Sequence, residues 1–139
     1  MARILILTDS VALQSELVAS LSGPDHELFL ATEGRLVRKA VAELNPDLVI
    51  LDSQVGSMGG IATCIDLRLE ESAGRVPTTA ILLLLDRRPD VFTASRSGAN
   101  GYLLKPINSL LLARAIAELV EGNAFLDNSY QPLPAGVPK

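Results

Sequence analysis

Pro46-Asp47-Leu48-Val49-Ile50-Leu51-Asp52 decides the fold: an unbroken aliphatic run follows the helix-stopping pair Asn45-Pro46 and ends in an acid. Uniform apolarity of this kind is expected of a strand covered on both faces in a parallel sheet. An earlier run, Ile4-Leu5-Ile6-Leu7-Thr8, delivers Asp9, and a later one, Tyr102-Leu103-Leu104, delivers Lys105 and then Pro106. If these strands lie parallel in one sheet, two carboxylates and an ammonium converge at one edge. Such a pocket suits a divalent cation and a phosphoryl group.

Working outward, short apolar runs alternate with helix-period segments, the pattern of parallel strands joined by crossover helices. Arg3 to Thr8 reads as the first strand. Leu13, Leu17, Val18 and Leu21 then recur at helical spacing until Gly23-Pro24. Glu27 to Ala31 is a second, weaker strand. Leu36, Val37, Ala40, Val41 and Leu44 make an amphipathic helix. A third helix starts near Gly60 with Ile61, Ile65 and Leu69 facing inward, and fades at Gly74. Thr78 to Leu85 is a fourth strand, and Val91, Ala94 and Ser95 mark a short helix closed by Gly98. Gly101 to Leu104 is a fifth strand, and Leu110 to Val120 a last helix stopped by Gly122.

Right-handed crossovers turn five such units into a doubly wound α/β fold, a five-stranded parallel sheet. Ligands bind such sheets at the carboxyl ends of the strands, where the strand order reverses. Asp9, Asp52 and Lys105 all lie at carboxyl ends. One domain over residues 1–122 is expected, followed over residues 123–139 by a tail or linker whose Gln131 to Pro138 stretch is rich in proline.

The bulk properties agree. A chain of 139 residues, 48% hydrophobic and 4% aromatic, has room for a single aliphatic core. The apolar run from Ala80 to Leu85 falls far short of the ~20 residues that span a bilayer, and the N-terminal run is too short for a secretory signal. The single cysteine, Cys64, fits a reducing cytoplasm and, among Ile61, Ile65 and Leu67, reads as a small buried hydrophobe. The net charge of −4, with scattered basic residues, argues against nucleic-acid binding by this chain. His26 reads as exposed, with no partners at metal-ligand spacing, and Arg87-Arg88 as a solvated loop.

With both segments in order, Pro46 to Asp52 and Gly98-Ala99-Asn100-Gly101-Tyr102-Leu103-Leu104-Lys105-Pro106, the chain resembles a response-regulator receiver domain, the CheY-like phosphoacceptor module of bacterial two-component signalling. The resemblance covers roughly Met1 to Gly122 and implies the strand order 2-1-3-4-5. Carried over by position, it makes Asp52 the aspartate phosphorylated by a histidine kinase or phosphotransfer protein. It makes Asp9 and Asp52 holders of Mg²⁺, with the backbone carbonyl of Gln54, and Lys105 the contact to the phosphoryl oxygens. The bond to Pro106 is commonly cis in the family. The face formed by the fourth helix, fifth strand and fifth helix is the implied partner surface, including for a second copy of the chain.

The departures from the family pattern are equally specific. Thr8 stands where a second acid usually stands, which weakens the expected Mg²⁺ site. Counting back from Lys105 places Leu83 where a switch hydroxyl is usual, and Leu82 or Leu84 in a slipped register. Tyr102 matches the aromatic partner of that hydroxyl. Gly56 replaces a usual proline and Gly59 a common Asp. Each acid and the lysine has an ordinary alternative, such as Asp9 capping a helix for about 1 kcal/mol, but their joint placement favours the pocket.

Two functions compete. One is a phosphorylatable receiver with an altered acidic site and switch. The other is a degenerate receiver, a protein–protein module indifferent to phosphate. A nucleotide-binding enzyme would need a Gly-rich or Ser/Thr-rich phosphate loop after the first strand, and Thr8-Asp9-Ser10-Val11-Ala12 is none. No turnover of an external substrate is expected.

Overall fold

Ile4, Ile6, Leu48, Ile50, Leu82 and Leu84 fall in one buried cluster, while Leu5, Leu7, Val49, Leu51, Ile81 and Leu83 fall in another. This alternation is the two-residue period of strands buried on both faces. In the computed structural model, which describes residues 2–56 and 58–127, β1 (Ala2–Leu7), α1 (Val11–Leu21) and β2 (His26–Ala31) are followed by a 3-10 turn (Gly34–Leu36) and α2 (Val37–Leu44). Then come β3 (Leu48–Asp52), α3 (Gly60–Ser72), β4 (Ala80–Leu85), α4 (Asp90–Arg96), β5 (Gly101–Leu104), α5 (Ser109–Val120) and β6 (Phe125–Leu126).

Every strand pair is parallel, in the order β2-β1-β3-β4-β5-β6. The five expected strands therefore stand in the expected order, and β6 joins as a sixth. The Pro-rich stretch over residues 131–138 lies outside the described residues. Among the described residues no helix is long and apolar enough to cross a membrane.

On one face of the sheet, Leu13, Leu17 and Leu21 of α1 and Leu112, Ala115, Ile116 and Leu119 of α5 close the core. On the other face, Val37 and Val41 of α2, Cys64 and Leu67 of α3 and Ala94 of α4 do so. The inward face of α3 differs from the sequence reading. Ile65 and Leu69 are exposed, and the buried stripe is Gly60, Thr63, Cys64, Leu67 and Glu70. A buried glutamate is tolerated because Arg75 Nε bonds Glu70 Oε2 at 2.7 Å and Arg38 Nη1 reaches Oε1 at 3.3 Å. Hydrophobicity alone marks Leu69 and hides Glu70.

Gly60 and Gly101 are required by close approach. A Cβ on Gly60 would sit 2.5 Å from the Asp52 carbonyl oxygen, so the start of α3 packs directly on the backbone of β3. A Cβ on Gly101 would collide with the Phe125 carbonyl, so β6 docks only on a bare backbone. His26 is half-buried at the entrance to β2 rather than exposed, with a buried Nδ1 that has no hydrogen-bond partner among the described residues.

Candidate functional site

Parallel strands bring their carboxyl ends to one edge, and there the structure gathers Thr8, Asp9, Asp52, Asp86 and Lys105. Asp52 closes β3 and is 1% exposed. A buried carboxylate must be paired and hydrogen-bonded, and both oxygens of Asp52 are. Lys105 Nζ donates to Oδ1 at 2.6 Å, the Gln54 N–H donates to the same oxygen at 3.0 Å, and the Thr8 hydroxyl donates to Oδ2 at 2.8 Å.

Lys105 follows β5, anchored by its own N–H to the Leu85 carbonyl at 2.8 Å, and the Lys105–Pro106 peptide is cis. Its ammonium also bonds Asp86 Oδ1 at 3.1 Å, while the Ser53 hydroxyl donates to Asp86 Oδ2 at 3.0 Å. Burial works against the lysine's charge, but the hydrogen bonds and charges of Asp52 and Asp86 outweigh it and hold Lys105 above the usual lysine range. A cavity of about 310 Å³ opens beside this group, bordered by Ser10, Glu16, Asp86, Lys105 and Pro106.

Asp9 is exposed, and its Oδ2 accepts from the Gly56 N–H at 2.9 Å, tying the loop after β1 to the loop after β3. It does not cap α1: Ser10 does, accepting from the Leu13 N–H. Thr8 is buried, and its hydroxyl accepts from the Ser10 N–H at 3.1 Å while donating to Asp52. Gln54 is exposed, and its backbone is at the site through the N–H bond to Asp52.

The expectation for Leu83 needs correcting. Leu83 pairs with Leu51 and Tyr102, and its side chain lies in the cluster beneath α2, α3 and α4. The Cα partner of Asp52 is Leu84, which lies in the opposite cluster, so Leu83 points to the face away from Asp52. The residue beyond β4 that reaches Lys105 is Asp86. Counting back from Lys105 for the strand-end position falls one residue short of Leu84, which the slipped register allowed for, because the count carries along any length change in the connection through α4, which is only seven residues long. An acid directly after a buried apolar strand is the same signal that singled out Asp9 and Asp52, and it was present at Asp86. Tyr102 is buried with Leu83 in the second cluster.

Cys64 is buried with its thiol 3.5 Å from the Ser97 carbonyl, and burial pushes the thiol pKa up, as suits a packing residue. Arg87 pairs with Asp90. The β5 edge of the expected partner face is covered: β6 pairs with Gly101 and Tyr102, and Asp127 Oδ2 accepts from the Leu104 N–H at 2.7 Å.

The sequence matches the response regulator receiver domain family over residues 4–117. It is 32% identical over 133 residues to the DNA-binding transcriptional activator DevR/DosR of Mycobacterium tuberculosis, covering 92% of this chain and 58% of that protein. The chain thus spans little more than half the length of that relative. Among solved structures, chemotaxis protein CheY4 of Vibrio cholerae superposes with a TM-score of 0.74 at 23% identity, covering 86% of this chain and 98% of that one. The receiver domain of sensor histidine kinase PA1611 from Pseudomonas aeruginosa, with a magnesium ion coordinated in its active site cleft, gives a TM-score of 0.75 at 22% identity over 87% of this chain and 98% of that one.

Proposed function

The chain belongs to the response regulator receiver domain family, and from that premise we propose that Asp52 accepts a phosphoryl group from a histidine kinase or phosphotransfer protein in the cytoplasm. The observation that supports this most directly is the 2.6 Å bond from Lys105 Nζ to Asp52 Oδ1 at the carboxyl edge of the sheet, beside an open cavity. An Asp52 oxygen attacks the phosphorus of a phosphohistidine. The P–N bond breaks, the imidazole keeps the electron pair, and an acyl phosphate remains on Asp52. Phosphoryl transfer asks mainly for positioning and charge neutralisation, and Lys105 supplies the positive charge.

Among the described residues no three His, Cys, Asp or Glu side chains gather closely enough to hold a metal ion. Two carboxylates and a backbone carbonyl nevertheless fit Mg²⁺, which is bound through one or two carboxylates and keeps several waters. Asp9, Asp52 and the Gln54 carbonyl are the donors we assign to it. When bound, Mg²⁺ neutralises charge on the phosphoryl oxygens. With Thr8 neutral, the site holds the ion weakly.

The face of α4, β5 and α5 is our candidate partner surface, including for a homodimer. Because β6 lies on the β5 edge, a partner meets α4 and α5, where Phe92 and Leu110 are exposed, rather than the strand. At a net charge of −4 we assign no nucleic acid to this chain.

Incubation with Mg²⁺ and acetyl phosphate, read by intact mass, tests the assignment. A single phosphoryl gain that disappears in Asp52→Asn is expected. Label persisting in that variant removes Asp52 from the role, and no gain in the wild type favours the phosphate-independent module.

A further inference from the structure

Two of the three N–H donors of Lys105 are already committed to carboxylates, one on Asp52 and one on Asp86. Asp86 is held on both oxygens, by Lys105 on Oδ1 and by the Ser53 hydroxyl on Oδ2. The pair Ser53–Asp86 therefore ties the loop after β3 to the loop after β4, and Lys105 draws both toward Asp52. Asp86 also borders the cavity beside the site.

Attaching a phosphoryl group to Asp52 changes this arrangement. The carboxylate loses its own charge, and a group of about −2 with three acceptor oxygens appears beyond it, at the ammonium. Two anions would then share one lysine, and like charges that close oppose each other. Hydroxyl groups accommodate a phosphoryl by donating to it; a carboxylate has no proton to give and must withdraw.

Resting on the assignment of Asp52 as acceptor, we propose that Asp86 is the residue through which this chain senses phosphorylation, by being displaced from Lys105. In the unphosphorylated protein Asp86 stands in for the phosphoryl on Lys105 and holds the loops together through Ser53. As an Asp52 oxygen bonds to phosphorus, the donor's P–N bond (P–O in acetyl phosphate) breaks, the leaving imidazole or acetate keeps the electron pair, and the phosphoryl oxygens take Lys105. Asp86 then releases both partners. Arg87 through Asp90 lead directly into α4, so the displacement reaches the candidate partner face. The same competition slows acceptance.

The experiment compares wild type, Asp86→Asn, Asp86→Glu and Ser53→Ala with acetyl phosphate and Mg²⁺, by intact mass and by backbone hydrogen exchange over residues 86–91. Asp86→Asn is expected to form the Asp52 adduct about fivefold or more faster than wild type, by removing one like charge. Its exchange over 86–91 should already be high and change little on phosphorylation, whereas wild type should show a clear rise. Asp86→Glu, keeping the charge, should stay slow, and Ser53→Ala should fall between. Because Asp86 is exposed on a loop, melting temperatures should stay close to wild type. Equal or slower adduct formation in Asp86→Asn, with Asp52 still labelled, overturns the role of Asp86 alone. Weaker Mg²⁺ binding in that variant makes Asp86 a metal ligand and also overturns it. No adduct in any variant removes both this proposal and the acceptor assignment, since opening Lys105 then opens nothing.

Discussion

Thr8 donates its hydroxyl to Asp52 Oδ2 at 2.8 Å, with both residues 1% exposed, so a neutral donor stands beside the buried acid. The bond lowers the need of Asp52 for a cation, and a neutral Thr8 adds no charge to the proposed Mg²⁺ donors. Thr8→Asp is expected to raise Mg²⁺ affinity by about tenfold while destabilising the metal-free protein, because two buried carboxylates then adjoin. A thermal melt with and without Mg²⁺ reads both effects, since a ligand bound only by the folded state raises its stability. An unchanged Mg²⁺ dependence in Thr8→Asp would mean that Thr8 does not limit the site.

Thr8→Val isolates the hydroxyl. It leaves Asp52 Oδ2 and the Ser10 N–H each without the partner they have now. The expected cost is about 1–3 kcal/mol, measurable by urea denaturation. A variant as stable as wild type would show that water replaces the hydroxyl freely.

Lys105 is the cation that makes a buried Asp52 tolerable. Lys105→Met removes it and leaves the carboxylate uncompensated, and the expected loss is about 2 kcal/mol, reduced from fully buried cases because the lysine is 20% exposed. Adding Asp52→Asn to Lys105→Met should restore much of that stability, because the unpaired charge is gone. Independent, additive losses would contradict the pairing.

How much of this was legible in sequence depended on which residues carried the signal. The central strands were, because burial on both faces makes Leu48 to Leu51 and Ile81 to Leu85 apolar without interruption. Asp52 and Lys105 were placed together by that same reading. The inward face of α3 was not, since Glu70 is buried only by virtue of Arg38 and Arg75 from outside its own helix turn. Leu83 was misplaced because register is a cross-strand property, fixed here by the pairing of Leu84 with Asp52. β6 has two residues, too few for any periodicity, and depends on a glycine in another strand.

Glu70 gives a pH prediction. The hydrogen bond from Arg75 holds its carboxyl below the ordinary value of 4.5, burial opposes this, and the charges of Arg75 and Arg38 add to the lowering. A depressed folded pKa contributes stability that is present above the unfolded value and is lost as pH falls through the folded one. Glu70→Gln should therefore melt below wild type at pH 7. The gap should narrow as pH drops below about 4.5. A gap independent of pH would assign the loss to packing.

The last prediction concerns β6. Phe125 N–H bonds the Asn100 carbonyl at 3.2 Å, and Asp127 accepts from the Leu104 N–H at 2.7 Å, so this segment satisfies β5 backbone up to the residue before Lys105. An open parallel edge would otherwise present these groups to another chain. Gly101→Ala places a methyl against the Phe125 carbonyl and should push β6 away, loosening the packing of Phe125 against the cluster beneath α1 and α5. The expected result is a modest loss of stability, about 1–2 kcal/mol for the bonds released, and faster hydrogen exchange at Leu104. Asp127→Ala should reproduce the exchange effect at Leu104 while leaving the Phe125 bond in place. If the freed edge then pairs with a second copy, sedimentation should show dimers in Gly101→Ala at concentrations where wild type has none. Unchanged exchange at Leu104 in both variants would show that β6 does not protect that edge in solution.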